Sequence, residues 1–465
     1  MRAVETLVRH GLRPILIDEA AKPGGQIFRQ PPEGAERPGA EIYGLDAAKA
    51  ARLHGLLPML TMAADYRPGT LVWNIAAGAP GQAPTRIARN GDRFRLDLIR
   101  DETLSAVNVG SVILATGAVD RVLPFPGWTL PGVFTLGAAQ IALKAQGVAL
   151  GRRVALVGAG PLLPLLVTQY LAAGIKPAVA LDVTPFMAKI GAIRGLMAEP
   201  ATLMRGMLYV MKGMLGGVPI RSGVASIRAL GEDRVTGLAY TSRDGRIHRS
   251  ACDAIAASFG LRSEAQLADL AGCRFAFDPA SHQWQPEQDA SGRSSVPGVY
   301  LAGDGAAIGG ADVAALTGER VALALLSDAG LAGDPVVTAA LDQALARQAL
   351  ARQARFRRAL EAAYPFPAHL VDAITDETIV CRCEGITAGA LRETIANREP
   401  SEVNRLKAFT RLGMGRCQGR MCGHTGAELL ARRTGGDIAA AGRLRAQAPV
   451  KPLPLSAALT AESTR

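Results

Sequence analysis

The stretch between residues 152 and 182 limits the possible folds of this chain more than any other. It reads RRVALVGAGPLLPLLVTQYLAAGIKPAVALD, an apolar run, a turn with Gly158 and Gly160, a helical segment and a second apolar run ending at Asp182. A buried strand that runs through a glycine turn into a helix is the phosphate-binding part of a dinucleotide-binding unit. The stretch therefore predicts a strand–turn–helix–strand unit of the α/β class.

The apolar stretch within this unit also has the length of a membrane span. Residues 154–175 carry no charge and are long enough to cross a bilayer. The glycine turn divides them into a strand and a helix, which is typical of buried core. The start of the chain has an acidic residue and no long apolar run, so it is not a secretory signal. We therefore expect no membrane-spanning segment.

The nucleotide preference of this unit depends on two positions. Leu163 stands where a third glycine would allow close helix–strand packing, so the glycine pattern is incomplete. No arginine follows Asp182 closely, which disfavours the 2′-phosphate of NADP. The unit would take NAD if it binds a nucleotide at all, and a purely structural unit remains an open alternative.

A second nucleotide-binding pattern begins earlier in the chain. RPILIDEAAKPGGQ, residues 13–26, is an apolar strand followed by Asp18 and Glu19 and then by Gly24, Gly25 and Gln26. A carboxylate at the end of such a strand accepts hydrogen bonds from the ribose of a dinucleotide. A plain β-turn explains this segment about as well on its own.

Two later stretches support the nucleotide interpretation. SVILATGA, residues 111–118, is a buried strand that runs into Thr116 and Gly117. Residues 295–326 form a strand, a turn with Gly303 and Asp304, and a long helix. Glycine lets the backbone approach a phosphate closely, and the helix N-terminus attracts the anion.

These three segments, in this order, resemble the two-dinucleotide-domain flavoprotein reductases over roughly residues 1–330. The resemblance implies FAD, and it gives the 152–182 unit the place of the NAD(P)H domain. Disulfide reductases of that fold carry a redox cysteine pair, whereas Cys252 and Cys273 are isolated and are expected to be core residues. The chain is thus not expected to be a disulfide reductase of the usual type.

The resemblance also places the first residues inside the first helix of the FAD domain. The preceding strand and its G-x-G-x-x-G turn do not occur in the sequence. Two explanations stay open: a start codon assigned too far downstream, or a real loss of FAD binding.

Four of the six cysteines lie near the C-terminus, in the pattern C-x-C, 33 residues, C-x4-C. They are Cys381, Cys383, Cys417 and Cys422. Four thiolates satisfy a [2Fe-2S] cluster. Zinc sites more often use C-x2-C or C-x4-C pairs at both ends, and a disulfide between the last two cysteines would leave the first two unexplained. We expect a cluster, with zinc and a disulfide as alternatives.

Helix ends and arginines surround these cysteines. Thr387 and Ser401 are expected to cap two helices, and a third helix is expected after Gly423. Three arginines should offset the anionic charge of a cluster and raise its reduction potential, or else be ordinary surface charge: Arg382, Arg416 and Arg420. The segment GMGRCQGRMCG closely resembles the motif of the bacterioferritin-associated ferredoxin type of [2Fe-2S] domain, over roughly residues 376–435.

The net charge of +11 identifies no partner, because the basic residues are spread along the chain. The densest group, RQARFRR at 352–358, is expected to be the solvated face of a helix rather than a nucleic-acid site. Its buried stripe should consist of Leu345, Ala349, Phe356 and Leu360. We expect no nucleic-acid partner, and the few cysteines suit a reducing cytoplasm.

The order of these parts resembles the larger, or alpha, subunit of heteromeric amine dehydrogenases, whose members include opine oxidase, D-hydroxyproline dehydrogenase and hydrogen cyanide synthase. LPFPGWTLPGVFTLGAAQIALKAQG, residues 123–147, is especially similar. The resemblance implies an electron-transfer subunit with FAD and a [2Fe-2S] cluster, beside a separate flavin-containing subunit that oxidises the C–N bond of an amino acid, imino acid or opine. Two alternatives stay open: a stand-alone NAD(P)H-dependent reductase, and a non-catalytic iron–sulfur protein with a degenerate flavin domain.

The expected fold class is α/β, with two Rossmann-like dinucleotide-binding domains and a small, mainly helical [2Fe-2S] domain. The expected parts are an FAD-binding domain at 1–125 and 263–330, an NAD(P)-binding-like insert at 126–262, a helical connector at 331–375, the [2Fe-2S] domain at 376–435 and a tail at 436–465.

Overall fold

The computed structural model describes residues 1–32, 34, 37–77, 93–330 and 336–457, without the side chains of 336–342 and 344–349. In the described residues the helices are α1 (Arg2–Arg9), α2 (Gly39–Tyr43), α3 (Ala47–His54), α4 (Leu57–Ala63), α5 (Leu136–Ala145), α6 (Leu162–Ala172), α7 (Phe186–Gly191), α8 (Ile193–Leu196), α9 (Pro200–Leu215), α10 (Gln266–Leu270), α11 (Ala311–Asp328), α12 (Val336–Ala363), α13 (Ala368–Asp372), α14 (Ala388–Arg398), α15 (Val403–Thr410), α16 (Gly423–Thr434) and α17 (Ile438–Ala441).

The strands in the same residues are β1 (Ile15–Ile17), β2 (Asp65–Arg67), β3 (Leu71–Ala77), β4 (Phe94–Arg100), β5 (Thr103–Val109), β6 (Val112–Leu114), β7 (Ala118–Asp120), β8 (Val133–Phe134), β9 (Val154–Gly158), β10 (Val179–Asp182), β11 (Ile220–Ser222), β12 (Ser226–Leu230), β13 (Gly237–Thr241), β14 (Ile247–Ala251), β15 (Ala254–Ser258), β16 (Leu261–Ser263), β17 (Phe275–Asp278), β18 (Gln283–Pro286), β19 (Val299–Leu301), β20 (Ile379–Cys381) and β21 (Ile386–Thr387).

The insert is built on a parallel five-stranded sheet in the order β11-β10-β9-β15-β8. Strands β9, β10 and β15 are buried along their whole length, as expected for a sheet covered on both faces. Helix α6 follows the glycine turn directly, so the predicted strand–turn–helix–strand unit is confirmed. The antiparallel sheet β12-β13-β14 accompanies it.

The flavoprotein part has two separate parallel strand pairs, β1-β2 and β6-β19, beside the antiparallel sheet β3-β4-β5. No strand of the described residues pairs with both parallel pairs. Helix α1 packs closely on α11, because a Cβ at Gly318 would lie 3.4 Å from the Ala3 backbone nitrogen. Arg2 also donates a 2.7 Å hydrogen bond to Glu319 on α11. The predicted α/β class is confirmed.

Helix α12 is the long helix of the connector. Phe356 is buried and Leu360 half-buried, whereas Arg352, Arg355 and Arg358 are exposed, as expected for a solvated basic face. The side chains of Leu345 and Ala349, predicted for the same stripe, lie outside the described residues. Across the part of the chain that the structure describes, no helix has the length and apolar character needed to cross a bilayer.

The C-terminal part combines the hairpin β20-β21 with helices α14 to α16. Thr387 caps α14, since its Oγ1 accepts a 3.2 Å hydrogen bond from the Ala390 amide. The predicted Ser401 cap is wrong. The Glu402 carboxylate caps α15 instead, because it accepts hydrogen bonds from the Asn404 and Arg405 amides. Glu402 lies one residue nearer to the helix and reaches two of its N–H groups, which a serine hydroxyl at 401 does not do. Helix α16 begins at Gly423, as predicted.

Candidate cluster and flavin sites

The four C-terminal cysteines come together from two loops. Cys381 ends β20 and Cys383 follows it, while Cys417 and Cys422 lie in the loop before α16. The Cys422 thiol contacts those of Cys381 and Cys417, and the Cys417 thiol also contacts that of Cys383. All six cysteines of the chain are free thiols, so the disulfide alternative is not realised.

The surroundings of these thiols stabilise two thiolates, Cys381 and Cys417, whereas the pKa of Cys422 is raised because its thiol donates a hydrogen bond to each of them. The hydrogen bond from Cys422, together with backbone amides of neighbouring loop residues and against the opposing effect of burial, lowers the pKa of Cys381 to about 6. Hydrogen bonds, of which that from Cys422 is again the largest, lower the pKa of Cys417 to about 5 against the opposing effect of burial. Thiolates are the form that binds metal. The site is therefore prepared for a metal centre.

One glycine allows the second cysteine loop to approach the first. A Cβ at Gly415 would lie 2.2 Å from the Cys383 Cβ and 3.2 Å from its Sγ, which no side chain tolerates. Helix α16 starts directly after Cys422, so its N-terminus lies beside the thiols and favours negative charge there. Four converging thiols, amide donors and this glycine fit a [2Fe-2S] cluster held by Cys381, Cys383, Cys417 and Cys422.

Replacing Gly415 tests this arrangement. In Gly415→Ala the new Cβ would push the two cysteine loops apart, and we expect the variant to lose most of its iron and the visible absorbance of the cluster. Gly191→Ala is the control, because no atom lies within 4 Å of a Cβ there. Iron per chain, measured after purification without air, compares the two variants. Equal iron content in both would contradict the predicted crowding.

The sequence did not predict all of the positive charge near the cluster site. Arg382 and Arg416 are exposed, and Arg420 is paired with Glu264 at 2.6 Å. Arg262, on β16 of the flavoprotein part, instead lies within electrostatic reach of Cys422 and donates a 3.3 Å hydrogen bond to the Arg420 carbonyl. Burial lowers the pKa of Arg262 most strongly, and the negative groups of Glu264 and Cys422 oppose that shift. No local sequence signal identifies this residue, because it is distant from the cysteines in the chain.

Arg262→Met should lower the reduction potential of the cluster, because a half-buried positive charge favours the more negative, reduced state. We expect the equilibrium to change by about tenfold, equivalent to about 59 mV for one electron. A redox titration followed by electron paramagnetic resonance measures the midpoint potential. Arg382→Met removes an exposed charge from the same loop as Cys383 and should change the potential much less. Equal shifts in both variants would contradict a special role of Arg262.

A second polar cluster joins the flavoprotein part to α16. Glu428, which is 2% exposed, accepts hydrogen bonds from His282 at 2.5 Å and from Arg432. His282 stacks on Phe366 with ring centroids 4.2 Å apart. Burial, followed by the positive charge of nearby arginines, lowers the pKa of His424 well below its usual value. This cluster is structural in character, because both oxygens of the Glu428 carboxylate already accept hydrogen bonds, and the nearby arginines disfavour a bound cation.

A cavity of about 3040 Å³ lies between the predicted nucleotide-binding segments. Its walls contain the following predicted FAD residues: Asp18, Glu19, Gly24, Gly25, Gln26, Thr116, Gly117, Gly303 and Asp304. Of the residues predicted for the insert, Asp182 lines the cavity, whereas Gly158 and Gly160 are not among its lining residues. The structure thus brings the three FAD segments together.

Close backbone packing holds two of these segments in place. Strands β6 and β19 are paired, and the Ala302 amide donates a 3.0 Å hydrogen bond to the Leu114 carbonyl. A Cβ at Gly305 would lie 2.5 Å from the Thr116 Oγ1, so only glycine fits there. The Asp304 carboxylate accepts hydrogen bonds from the Gly309 and Gly310 amides, both at 2.8 Å, and thereby shapes the loop before α11.

The two carboxylates after β1 have different surroundings. Asp18 accepts a 2.8 Å hydrogen bond from the Ala20 amide, and burial raises the pKa of Asp18. Glu19 forms an ion pair with Lys451, which belongs to the segment predicted as a tail. Asp18 is therefore the more enclosed of the two, and Glu19 is bridged to the C-terminal segment.

The cluster site adjoins the same cavity. Cys417, Arg420 and Met421 are among its lining residues. Thr116 donates a hydrogen bond to the Glu264 carbonyl, and the carboxylate of Glu264 pairs with Arg420 at 2.6 Å. Arg420 also donates a 3.4 Å hydrogen bond to the carbonyl of Cys417. A short chain of contacts therefore connects a predicted FAD residue with a predicted cluster ligand.

The acidic residue of the insert is already engaged. One oxygen of Asp182 accepts a 2.8 Å hydrogen bond from the Thr184 amide, and the other accepts one from Lys189. Burial, followed by the negative charge of Asp182, raises the pKa of Tyr364, which places this connector residue near the same carboxylate. A ribose would have to compete with these partners.

The fold and the cysteine site define an iron–sulfur oxidoreductase with a flavoprotein-type body. Residues 379–432 match the BFD-like [2Fe-2S] binding domain family. The L-proline dehydrogenase of P. horikoshii has the same fold, with a TM-score of 0.67 at 19% identity over 98% of this chain and 76% of that one. The A subunit of opine oxidase from Rhizobium meliloti is 35% identical over 96% of this chain and 82% of the relative.

The HcnB subunit of hydrogen cyanide synthase from Pseudomonas aeruginosa is 30% identical over 98% of this chain and 95% of that relative. The chain belongs to the family that contains these opine oxidase and hydrogen cyanide synthase subunits. The expected [2Fe-2S] domain and the expected subunit family are thereby confirmed, and the zinc alternative is not supported.

Proposed function

We propose that this chain is the electron-transfer subunit of a heteromeric dehydrogenase or oxidase that acts on the C–N bond of an amino acid, imino acid or opine. A separate flavin-containing subunit would oxidise the substrate, and this chain would carry FAD and a [2Fe-2S] cluster. The observation that carries the proposal is the shared cavity, which is lined both by the predicted FAD residues and by Cys417. The six free thiols are consistent with a reducing cytoplasm.

Each group of cavity residues has a distinct role in this proposal. The Asp18 carboxylate would accept hydrogen bonds from a ribose, and Gly117 and Gly303, both with positive φ, would let the backbone approach the phosphates. When bound, FAD exchanges one or two electrons and the cluster exchanges one. The pair Glu264–Arg420 would hold the cysteine loop against the flavin side of the cavity.

The alternative of a stand-alone NAD(P)H-dependent reductase has less support. Both oxygens of Asp182 already accept hydrogen bonds, and Tyr364 lies near them. A dinucleotide in the insert would have to displace Lys189 from this carboxylate. NAD binding by the insert stays a prediction, and we do not assign it a step in the proposed function.

Cofactor analysis of the purified chain tests the proposal. We expect about one FAD and two irons per chain, and Asp18→Asn should bind FAD about tenfold or more weakly, because a hydrogen bond to a charged group contributes about 1.5–3 kcal/mol. Glu102→Gln changes an exposed carboxylate outside the cavity and serves as the control. Titration of the apo-protein with FAD measures the affinity. Iron without any flavin affinity would overturn the FAD part of the proposal.

The ion pair at the junction of the two sites gives a kinetic test. In Glu264→Gln the cysteine loop loses its charged partner, and reoxidation of reduced flavin by the cluster should slow by about tenfold or more, since small displacements of reacting groups have large effects on rates. Stopped-flow absorbance under anaerobic conditions follows this step.

The matched control for that test is Glu287→Gln. It breaks another Arg–Glu pair, with Arg274 at 3.0 Å, whose residues do not line the cavity. Flavin and iron contents are measured for both variants, so that cofactor loss is separated from slower transfer. An unchanged rate in a Glu264→Gln protein that retains both cofactors would exclude the proposed role of the pair.

A further inference from the structure

The outer face of α9 is apolar, contrary to the usual pattern of a surface helix. Its exposed apolar side chains, between 39% and 81% exposed, fall within one arc of the helix, at positions three, four and seven residues apart. They are Met204, Met207, Val210, Met211, Met214 and Leu215.

The opposite face of α9 is the one that packs on the protein. A Cβ at Gly213 would lie 3.0 Å from Val167 Cγ1 on α6, so the two helices are in close contact on that side. A surface helix normally turns its apolar stripe to the core and its polar residues outward. Because α9 is apolar on both sides, its outer face has the composition of a surface that another molecule covers.

Helices α7 and α8 and the residue after them extend this surface. Their exposed apolar residues are Phe186, Met187, Ile190, Ile193 and Met197, between 43% and 69% exposed. We call these five residues and the six on α9 the methionine face. Members of both groups, including Phe186, Ile193 and Met211, line the cavity that contains the candidate redox sites. Seven of the eleven side chains of the methionine face line that cavity, so the face is continuous with the cavity wall.

The charge of this region favours a protein partner over a lipid surface. Glu199 is the only acidic residue between positions 183 and 231. Lys189 and Arg205 are neutralised by Asp182 and Asp46. Arg194 and Lys212 are the remaining basic residues of α7 to α9, fewer than the four to eight that mark an anionic-lipid site.

We propose that the methionine face is the docking surface for the substrate-oxidising subunit. This inference rests on the proposed function and names the place where that partner binds. A standard interface uses about 20–30 residues a side around an apolar centre. The eleven exposed apolar side chains of the methionine face can form that centre. Methionine adapts its shape to a partner, and the bound subunit would close the cavity opening and exclude water.

The experiment compares two double variants of the affinity-tagged chain, purified as the complex formed in the cells that make it. Met207→Glu/Met211→Glu places two charges at the centre of the methionine face. Met62→Glu/Leu455→Glu places the same charges on residues that are 84% and 87% exposed elsewhere. Glutamate is a good helix former, so α9 should remain folded, which circular dichroism and the iron content of the chain verify.

We expect a flavin-bearing second polypeptide to accompany the wild-type chain and the control variant in equal amounts. The Met207/Met211 variant should retain about tenfold less of it, or less still. If this polypeptide accompanies all three proteins equally, the docking inference is wrong and the proposed function stands. If no flavin-bearing polypeptide accompanies even the wild-type chain, both are wrong.

Two further measurements on the isolated chain distinguish other occupants. If light scattering shows that the wild-type chain is a dimer and the Met207/Met211 variant a monomer, the face binds a second copy of the chain. If the wild-type chain floats with phosphatidylglycerol vesicles and the variant does not, the face binds a membrane. Either result would overturn the inference, whereas a monomer that does not bind vesicles supports it.

Discussion

The contact between the segment 261–270 and the cysteine loop determines how the whole molecule can work. Three side chains of this segment bind the loop. Arg262 donates a hydrogen bond to the Arg420 carbonyl, and Glu264 pairs with the Arg420 side chain. Gln266 donates a 2.9 Å hydrogen bond to the Gln418 carbonyl. The next acidic residue, Asp269, pairs with Arg443 at 2.6 Å beyond α17. Because the partly buried Glu264–Arg420 pair is costly to break, the cluster domain is held in one orientation. Cys417 therefore lies at the cavity rather than in solvent.

The C-terminal segment strengthens the same junction. Val450 is 3% exposed, its amide donates a 3.0 Å hydrogen bond to the Trp73 carbonyl, and its carbonyl accepts one from Arg420 at 2.6 Å. Lys451 then forms an ion pair with Glu19, and both residues line the cavity. Residues predicted as a tail thus connect the cysteine loop to the nucleotide-binding segment, so a ligand in the cavity would be enclosed by both ends of the chain.

The parts that the sequence predicted well are those determined by local pattern. Thiolate ligands need particular spacings, so the convergence of Cys381, Cys383, Cys417 and Cys422 could be predicted without a structure. The 152–182 unit was predictable for the same reason, since apolar runs and glycine turns act over a few residues. Arg262 could not be found in this way, because its distance to Cys422 depends on the docking of two domains.

The insert has kept the fold of a nucleotide-binding unit while its characteristic groups serve other contacts. The three central strands of its sheet are buried, yet Asp182 binds Lys189, and Leu163, in the place of the third glycine, is a core residue at 4% exposure. A Rossmann-like domain whose acid is engaged still offers a rigid frame for the helices attached to it. Helices α7 to α9 use that frame to present apolar side chains to solvent beside the cavity, which a domain selected only to bind a nucleotide has no physical reason to do. If the methionine face binds the partner as proposed, the insert supports that interface next to the candidate redox sites.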